Sequence, residues 1–228
     1  MARVVRLLQW PEPVPYAHAL DLQERLHQLL LQRPAPDTLG FLLALQHAPV
    51  VSLGRRAHAT PLPPGLPVPT VRANRGGLAT YHGPGQLTFY PVLDLRRLQG
   101  PALSLAHYVQ GLTDVLAAAA LHAADIHAHT PPGPEHAGLW LSATEKAGFV
   151  GVQARHWVTS HGFSLNVTPE ALRGFQHIQP CGLPAHIRIG CLQEHAPTAT
   201  LRAVQDAVLA AFERAFRVTL HTASPPPP

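Results

Sequence analysis

An α+β fold, with a mixed β-sheet packed against helices, is what this sequence predicts, and three observations carry the prediction. Two long segments, Tyr16 to Gln32 and about Thr198 to Phe216, repeat apolar side chains at helical spacing. Strand-like runs come mostly in adjacent pairs rather than in alternation with helices, which favours a mixed sheet over a doubly wound parallel one. A length of 228 residues suits one domain with a real core. Residues 1–222 are expected to form that domain, and 223–228, ending in four prolines, a disordered tail.

Taken in order, Met1 to Trp10 reads as a short strand, after which Pro11, Pro13 and Pro15 forbid regular structure until a helix begins near Tyr16. Ala19, Leu22, Leu26, Leu29 and Leu30 give that helix one apolar face, fit to cover a sheet, and Pro34 and Pro36 end it. Thr38 to Gln46 and Val50 to Leu53 are strand-like. Pro61 to Pro69 is a loop too short to link domains, and Val68 to Ala73 and Leu87 to Leu95 read as strands. Ser104 is a fitting N-cap for a helix through Leu121, whose Leu105, Tyr108, Val109, Leu112, Val115 and Leu116 share one face. A loop rich in proline and histidine leads to strands at Gly138 to Leu141, Ala147 to His156 and Val158 to Val167. Glu170 to Phe175 supplies a helical turn, Ile187 to Leu192 an apolar segment, and Leu201, Val204, Val208, Phe212 and Phe216 the inner face of the last helix.

Composition excludes several classes of function. A net charge of +4 admits an acidic partner surface. The arginines are scattered, however, and aromatic residues make up only 6%, with no basic stripe or stacking platform for nucleic acid. The first ten residues lack the apolar core of a signal peptide, and no apolar stretch approaches the ~20 residues of a membrane span, so a cytoplasmic protein is expected. The two cysteines then read as reduced thiols. Sixteen histidines make clusters such as His122, His127 and His129 unremarkable, so no metal is assigned, and no cofactor is expected.

The most shaped stretch runs from Arg75 to Tyr90, with four glycines, a proline, an arginine and a histidine just before an apolar run. Gly76-Gly77 offers unobstructed backbone N–H groups beside the fixed charge of Arg75, and His82 lies between that pair and the turn Gly83-Pro84-Gly85. By itself this reads first as a hairpin loop leading into the strand Leu87 to Leu95.

Two further residues carry chemistry. A cysteine nucleophile works as thiolate, with an ordinary pKa of about 8.5, so a site using one needs a base or positive charge beside it. Cys181, between a proline and a glycine, is rigidly presented, whereas Cys191 lies in an apolar segment and reads as an inert core residue. Lys146 is the sole lysine among seventeen basic residues. A lysine picked at random is an exposed turn residue, but where arginine serves everywhere else, a retained lysine points to a need for a group that can lose its proton.

As a string, Arg75 to Tyr90 resembles the signature of the lipoyl(octanoyl) transferases: Arg75, Gly76, Gly77, Thr80, Tyr81, His82, Gly85, Gln86, Thr88 and Tyr90 all fit. Glu145-Lys146 through Gly151 resembles that family's lysine-bearing hairpin. Val158 to Val167 resembles its VTxHGFALNV strand with Ser164 in place of the usual alanine, and Ile178 to Leu183 its IxPCGI loop. The resemblance implies the biotin/lipoate protein ligase catalytic fold. It puts the acyl-thioester cysteine at Cys181 and the pKa-lowering lysine at Lys146. Substrate contacts then fall on Arg75, Gly76, Gly77, Leu78, Ala79, Thr80, Tyr81 and His82, on Phe149, Val150 and Gly151, and on Gly162, Phe163 and Ser164. Phe149-Val150 departs from the family's usual smaller or aliphatic residues and alters the contour expected for the acyl pocket.

What the resemblance implies for function is transfer of an octanoyl group from octanoyl-acyl carrier protein to a lysine of lipoyl domains, those of 2-oxoacid dehydrogenase E2 subunits and the glycine cleavage H protein. It would proceed through a cysteine thioester, without ATP, on a chain expected to be a monomer. Backbone N–H groups at Gly182 and around Gly76-Gly77 are candidates for stabilising the oxyanion. His82 and His161 either take part in the chemistry or hold the loop through hydrogen bonds, the second reading being preferred. Two alternatives stand: an ATP-dependent lipoate or biotin protein ligase of the same fold, whose lack of a GxxxxGK[ST] loop would not count against it, and a non-catalytic module that binds acyl carrier protein or lipoyl domains.

Overall fold

A computed structural model describes residues 3–32, 38–57, 65–99, 104–129, 131, 133, 136–178, 182–184 and 186–227. Strand β1 (Val4–Gln9) leads into helix α1 (Tyr16–Gln32), which returns the chain to β2 (Thr38–Leu45), parallel to β1 as a helical crossover requires. β3 (Val50–Leu53), β4 (Thr70–Arg72) and β5 (Ala79–His82) make a small sheet in the order β4-β3-β5. β6 (Gln86–Leu93), a short α2 (Leu95–Gln99) and the long α3 (Leu105–Ala124) follow. β7 (Trp140–Ser142), β8 (Glu145–Lys146), β9 (Gly148–Arg155) and β10 (Val158–Asn166) lead through a 3-10 segment, Pro169–His177, to β11 (Arg188–Ile189), α4 (Leu201–Phe216) and β12 (Thr219–Ala223).

The main sheet has six strands in the order β12-β1-β2-β6-β10-β9, parallel at the β12, β1 and β2 end and antiparallel from β2 onward, the mixed α+β architecture expected. Its central strands are buried on both faces, which is why they read as continuous apolar runs rather than alternating ones. Leu42 and Ala44 of β2, with Leu87, Phe89 and Leu93 of β6, face α3 and α4. Leu43 and Leu45, with Tyr90 and Val92, face Leu22, Leu26 and Leu30 of α1. The period of two that divides each strand between two cores is the pleat itself.

Helix ends follow local chemistry. Ser104 caps α3 as expected, its Oγ accepting from His107 N at 3.2 Å. α4 starts a little later than the apolar pattern implied, because Thr200 supplies the cap, Oγ1 accepting from Ala203 N at 3.1 Å. The strand expected over Leu87 to Leu95 ends at Leu93, since Asp94 Oδ1 accepts from Arg96 N and starts α2. β12 carries regular structure to Ala223, one residue into the segment expected as tail, and Trp10 Nε1 donates to Pro226 O at 3.1 Å. Among the described residues no helix is long and apolar enough to cross a membrane.

Candidate active site

A cavity of about 260 Å³ opens where the small β4-β3-β5 sheet, β9, β10 and the β8 strand converge beside the N-terminus of α1. β9 and β10 form one wall in strict register: Phe149 opposite Ser164, Val150 opposite Phe163, Gly151 opposite Gly162, Val152 opposite His161. Glycine at 162 is obligatory, since a Cβ there would sit 2.2 Å from Phe89 O. At Gly151 an added Cβ would meet only ordinary contacts, 3.6 Å from Arg75 Cδ and Gly76 O, so its bareness widens the cavity rather than relieving the backbone.

β5 forms another wall, and its pleat sorts the residues expected to touch substrate. Thr80 and His82 line the cavity. Ala79 and Tyr81 point the other way, into an apolar cluster that meets the cavity at Phe149 and in which the Tyr81 ring meets Phe175 edge-on at 5.6 Å. Leu78 packs with that cluster and covers Gly182, where a Cβ would lie 2.4 Å from Leu78 Cδ1. Of the eight residues expected along 75–82, the cavity therefore takes Arg75, Gly76, Gly77, Thr80 and His82 but not Leu78, Ala79 or Tyr81. Phe149, Val150, Gly151, Gly162, Phe163, Ser164 and His161 all line it.

Arg75 is not a free cation. It is buried and spends its fork on the protein: Nε and Nη2 donate to Ser52 Oγ, Nη2 to Ser52 O at 2.7 Å, and Nη1 to Gly76 O at 3.0 Å. Gly76 N in turn donates to Val152 O at 3.2 Å, stitching the Arg-Gly-Gly turn onto β9. That bond removes Gly76 from the candidate oxyanion donors.

Lys146, far from being an exposed turn residue, is 4% exposed and sits in the cavity wall. Its Nζ donates to Ala137 O at 2.9 Å and lies 4.9 Å from the Trp140 ring centre and 5.6 Å from that of Phe149. Both ring faces attract a cation. Gly138, at φ +129°, makes room for this arrangement: a Cβ there would lie 2.2 Å from Gly148 O and 3.0 Å from Lys146 Cε. The neighbouring Glu145 binds Arg188 and His195, and Arg188 also pairs with Glu194 at 2.8 Å, so β8 is locked to β11 directly behind the lysine.

Cys181 lies outside the described residues. Cys191 is fully buried, its N–H donates to Glu194 Oε2 at 3.1 Å, and burial pushes its thiol up, as befits a core residue. Among the described residues no group of three or more histidine, cysteine or acidic side chains is placed to hold a metal ion.

The cavity's far end is polar and was only partly foreseen. Tyr16, Tyr90, Thr88 and Val152 line it, as do Arg56 and Ala137 elsewhere on the wall. Thr88 and Tyr90 belong to the signature string; Tyr16, at the start of α1, had no signal of its own. His47 is wholly buried beneath, Nδ1–H donating to Val14 O at 2.8 Å and Nε2 accepting from the Tyr90 hydroxyl at 2.7 Å. Burial holds His47 down to about 4, and burial together with the Arg75 charge holds His161 down to about 3. His82 lies well below the usual imidazole range for the same first reason, reinforced by His47, Arg75 and His161. His161 Nδ1 and Thr80 Oγ1 are buried without a hydrogen-bond partner among the described residues.

Residues 15–213 match the family described as lipoyl protein ligase A/B catalytic domain. The chain belongs to that family. An octanoyltransferase of Syntrophotalea carbinolica is 42% identical over 178 residues, covering 78% of this chain and 76% of the relative. One from a Synechocystis strain is 37% identical over 209 residues, covering 90% and 87%. Among solved structures, lipoate-protein ligase A bound with ATP superposes with a TM-score of 0.71 at 13% identity over 99% of this chain and 89% of that one. A bi-partite lipoate protein ligase from Thermoplasma acidophilum gives 0.68 at 13%, over 98% and 88%. At that identity the likeness bears on the fold, and it is the fold the sequence resemblance implied.

Proposed function

We propose that this lipoyl protein ligase A/B family chain is an octanoyltransferase that moves an octanoyl group from octanoyl-acyl carrier protein to a lysine of a lipoyl domain, through a thioester on Cys181. The observation that carries the reading is the burial of the chain's sole lysine in the cavity wall, between two aromatic rings and a carbonyl. The relatives named octanoyltransferase, at 42% and 37% identity, support it.

In this reading Lys146 stabilises the Cys181 thiolate, which attacks the donor thioester carbonyl; the acyl–sulfur bond of the donor breaks and its thiol leaves with a proton. The amine of the acceptor lysine then attacks the Cys181 thioester, the C–N bond forms, and the cysteine leaves. Thioester for thioester is nearly balanced and thioester to amide runs downhill, so no ATP is consumed. With Gly76 N–H committed, the amides of Gly77 and Gly182 are the proposed oxyanion donors. Burying about six methylenes of the acyl chain supplies roughly 5 kcal/mol at ~0.8 each, enough for the apolar wall of Phe149, Val150 and Phe163 to dominate acyl recognition. The acceptors are the lipoyl domains of 2-oxoacid dehydrogenase E2 subunits and the glycine cleavage H protein, and the site of action is the cytoplasm.

The test is intact mass after mixing the protein with octanoyl-acyl carrier protein in the absence of ATP, beside Cys181→Ser and Lys146→Arg variants. One thiol-labile octanoyl group is expected on the wild type, none on Cys181→Ser and much slower gain on Lys146→Arg. An unmodified wild type that lipoylates its acceptor only with ATP and free octanoate would replace this mechanism with that of a ligase.

A further inference from the structure

The chain's charge is unevenly placed. Residues 38–93 contain no acidic side chain and four arginines, Arg55, Arg56, Arg72 and Arg75. Of the 17 basic residues, those outside this stretch are matched one for one by the chain's 13 acidic ones, so the whole net charge of +4 belongs to it. The stretch folds as β2, the small β4-β3-β5 sheet that borders the cavity, and β6. Arg75 is buried and spent on Ser52 and Gly76, but Arg55, Arg56 and Arg72 are exposed. Their side chains make no hydrogen bond or ion pair among the described residues, whereas Arg25, Arg96, Arg155, Arg188 and Arg202 each meet a carboxylate. Glu170 is felt in this unit at Tyr81, which points away from the cavity, and it is itself paired with Arg173 at 3.9 Å.

Backbone bonds fix the stems of the three unpaired arginines. Arg55 N–H donates to Arg75 O at 3.1 Å and Arg56 N–H to Gly77 O at 3.2 Å. Gly54 permits that approach, since a Cβ there would lie 2.5 Å from Gly77 O. Arg72 stands opposite Leu53 in the β3–β4 ladder, and the next residue, Ala73, donates its N–H to Leu53 O at 2.8 Å. Arg56 is both exposed and part of the cavity lining, so it joins the mouth of the cavity to solvent. Like charges gathered without a counter-charge work against folding and draw an anion from solution. Guanidinium forks match a phosphate in shape as well as in charge.

The two partners of the reaction differ in what they bring to such a rim. The donor's thiol ends a phosphopantetheine arm, and the phosphodiester that joins this arm to its carrier stays ionised at neutral pH. The acceptor brings a lysine ammonium, which the same field repels. Resting on the octanoyl-transfer reading, we infer that Arg55, Arg56 and Arg72 form a phosphate-binding rim for the donor: they hold the phosphodiester of the arm while its thioester enters the cavity.

Donors with and without the phosphate test this directly. Octanoyl-pantetheine and octanoyl-4′-phosphopantetheine carry the same thioester, so the ratio of their acylation efficiencies, read by intact mass over a range of donor concentrations, reports what the phosphate adds. The wild type should favour the phosphorylated donor about thirtyfold. Arg56→Gln should cut that preference about fivefold, the worth of one exposed charge pair, and the triple variant Arg55→Gln, Arg56→Gln, Arg72→Gln should abolish it. About 0.5 M NaCl should shrink the preference of the wild type and leave the triple variant unmoved. A wild type without the preference, or a preference that survives the triple substitution while both donors slow together, overturns the inference. A loss confined to octanoyl-acyl carrier protein overturns it too, by assigning the rim to the carrier's protein surface. In transfer from acylated enzyme to a lipoyl domain, half-saturation by the domain should not rise in the triple variant; a rise equal to the donor's would make the rim an acceptor site instead. Failure of the wild type to acylate with any of the three donors is a different result and strikes the parent reading.

Discussion

Lowering the pH from 7.5 to 5.5 should cost this protein about 3 kcal/mol of folding stability or more, and the buried histidines around the cavity are the reason. His47 is held to about 4, His161 to about 3, and His82 well below its ordinary value, all chiefly by burial. In the unfolded chain each titrates near 6.5. A group whose pKa falls on folding binds its proton preferentially in the unfolded state, so stability is complete above about 6.5 and drains as pH falls toward the folded values. At pH 5.5 roughly ten of every eleven unfolded-state imidazoles are charged while His47 and His161 remain neutral in the fold, a penalty of about 1.4 kcal/mol each, and His82 acts in the same direction. His27, lowered by burial as well, acts in the same direction. Glu24 and Glu194, also lowered on folding, begin to matter only at more acidic pH, below the ordinary carboxylate value of about 4.3.

Since a domain of this size is stable by only about 5–15 kcal/mol, the loss is easily seen. Urea unfolding at pH 7.5, 6.5 and 5.5 gives the slope of stability against pH, which should reach about two protons or more, about 3 kcal/mol per pH unit, at the acid end. His47→Gln should lower that slope by about one proton, because the side chain no longer titrates. A slope of less than one proton, or one indifferent to His47→Gln, would refute the claim that these rings are held neutral by the fold.

Three substitutions probe the cavity wall. Arg75→Lys offers a point charge where a fork now makes bonds to Ser52 and Gly76, and should cost about 2–4 kcal/mol in thermal or urea unfolding together with most activity. Gly138→Ala combines a left-handed φ of +129° with a Cβ 2.2 Å from Gly148 O; a loss above about 2 kcal/mol, and acylation slowed by displacement of Lys146, should both appear. Phe149→Ala removes a ring stacked at 5.5 Å on Phe175 and should destabilise by about 3 kcal/mol, at the low end for such truncations because one face already borders the cavity. The same variant should accept bulkier acyl groups in a comparison of donors of different chain length.

Most of the site was legible in the sequence because its parts are local. The Arg75-Gly76-Gly77 turn and His82 stand out through residue types that a shaped backbone explains, whereas the wall from Phe149 to Gly151 came only from the family resemblance. Lys146 stood out by its solitude among arginines, and the fold put it in the wall. What stayed hidden depends on pairing across long separations. β5, bounded by glycines, looked like loop until its pairing with β3 set which of its residues face inward, and the same pleat turned Ala79 and Tyr81 away from the cavity. β12 was missed because Thr219–Ala223 is too polar to read as core; it is an edge strand, stabilised by its ladder with β1 rather than by burial. Tyr16 reaches His82 from a helix 66 residues earlier in the chain, and no spacing rule spans that gap.

The electrostatics of the cavity tie these parts to one chemistry. Arg56, Arg75 and Lys146 are the charged side chains among the described residues that line it, and none of those residues is acidic. A wall that carries only positive charge favours a thiolate and the oxyanion that develops on a thioester carbonyl, and it disfavours an entering lysine ammonium. The acceptor must therefore reach the acyl group as the neutral amine, having shed a proton before or during entry. The buried amide relay from Gly190 through Asn166 and Gln86 puts an oxygen against His82 Nδ1 and so fixes the hydrogen there, leaving a neutral ring that adds no charge to that wall.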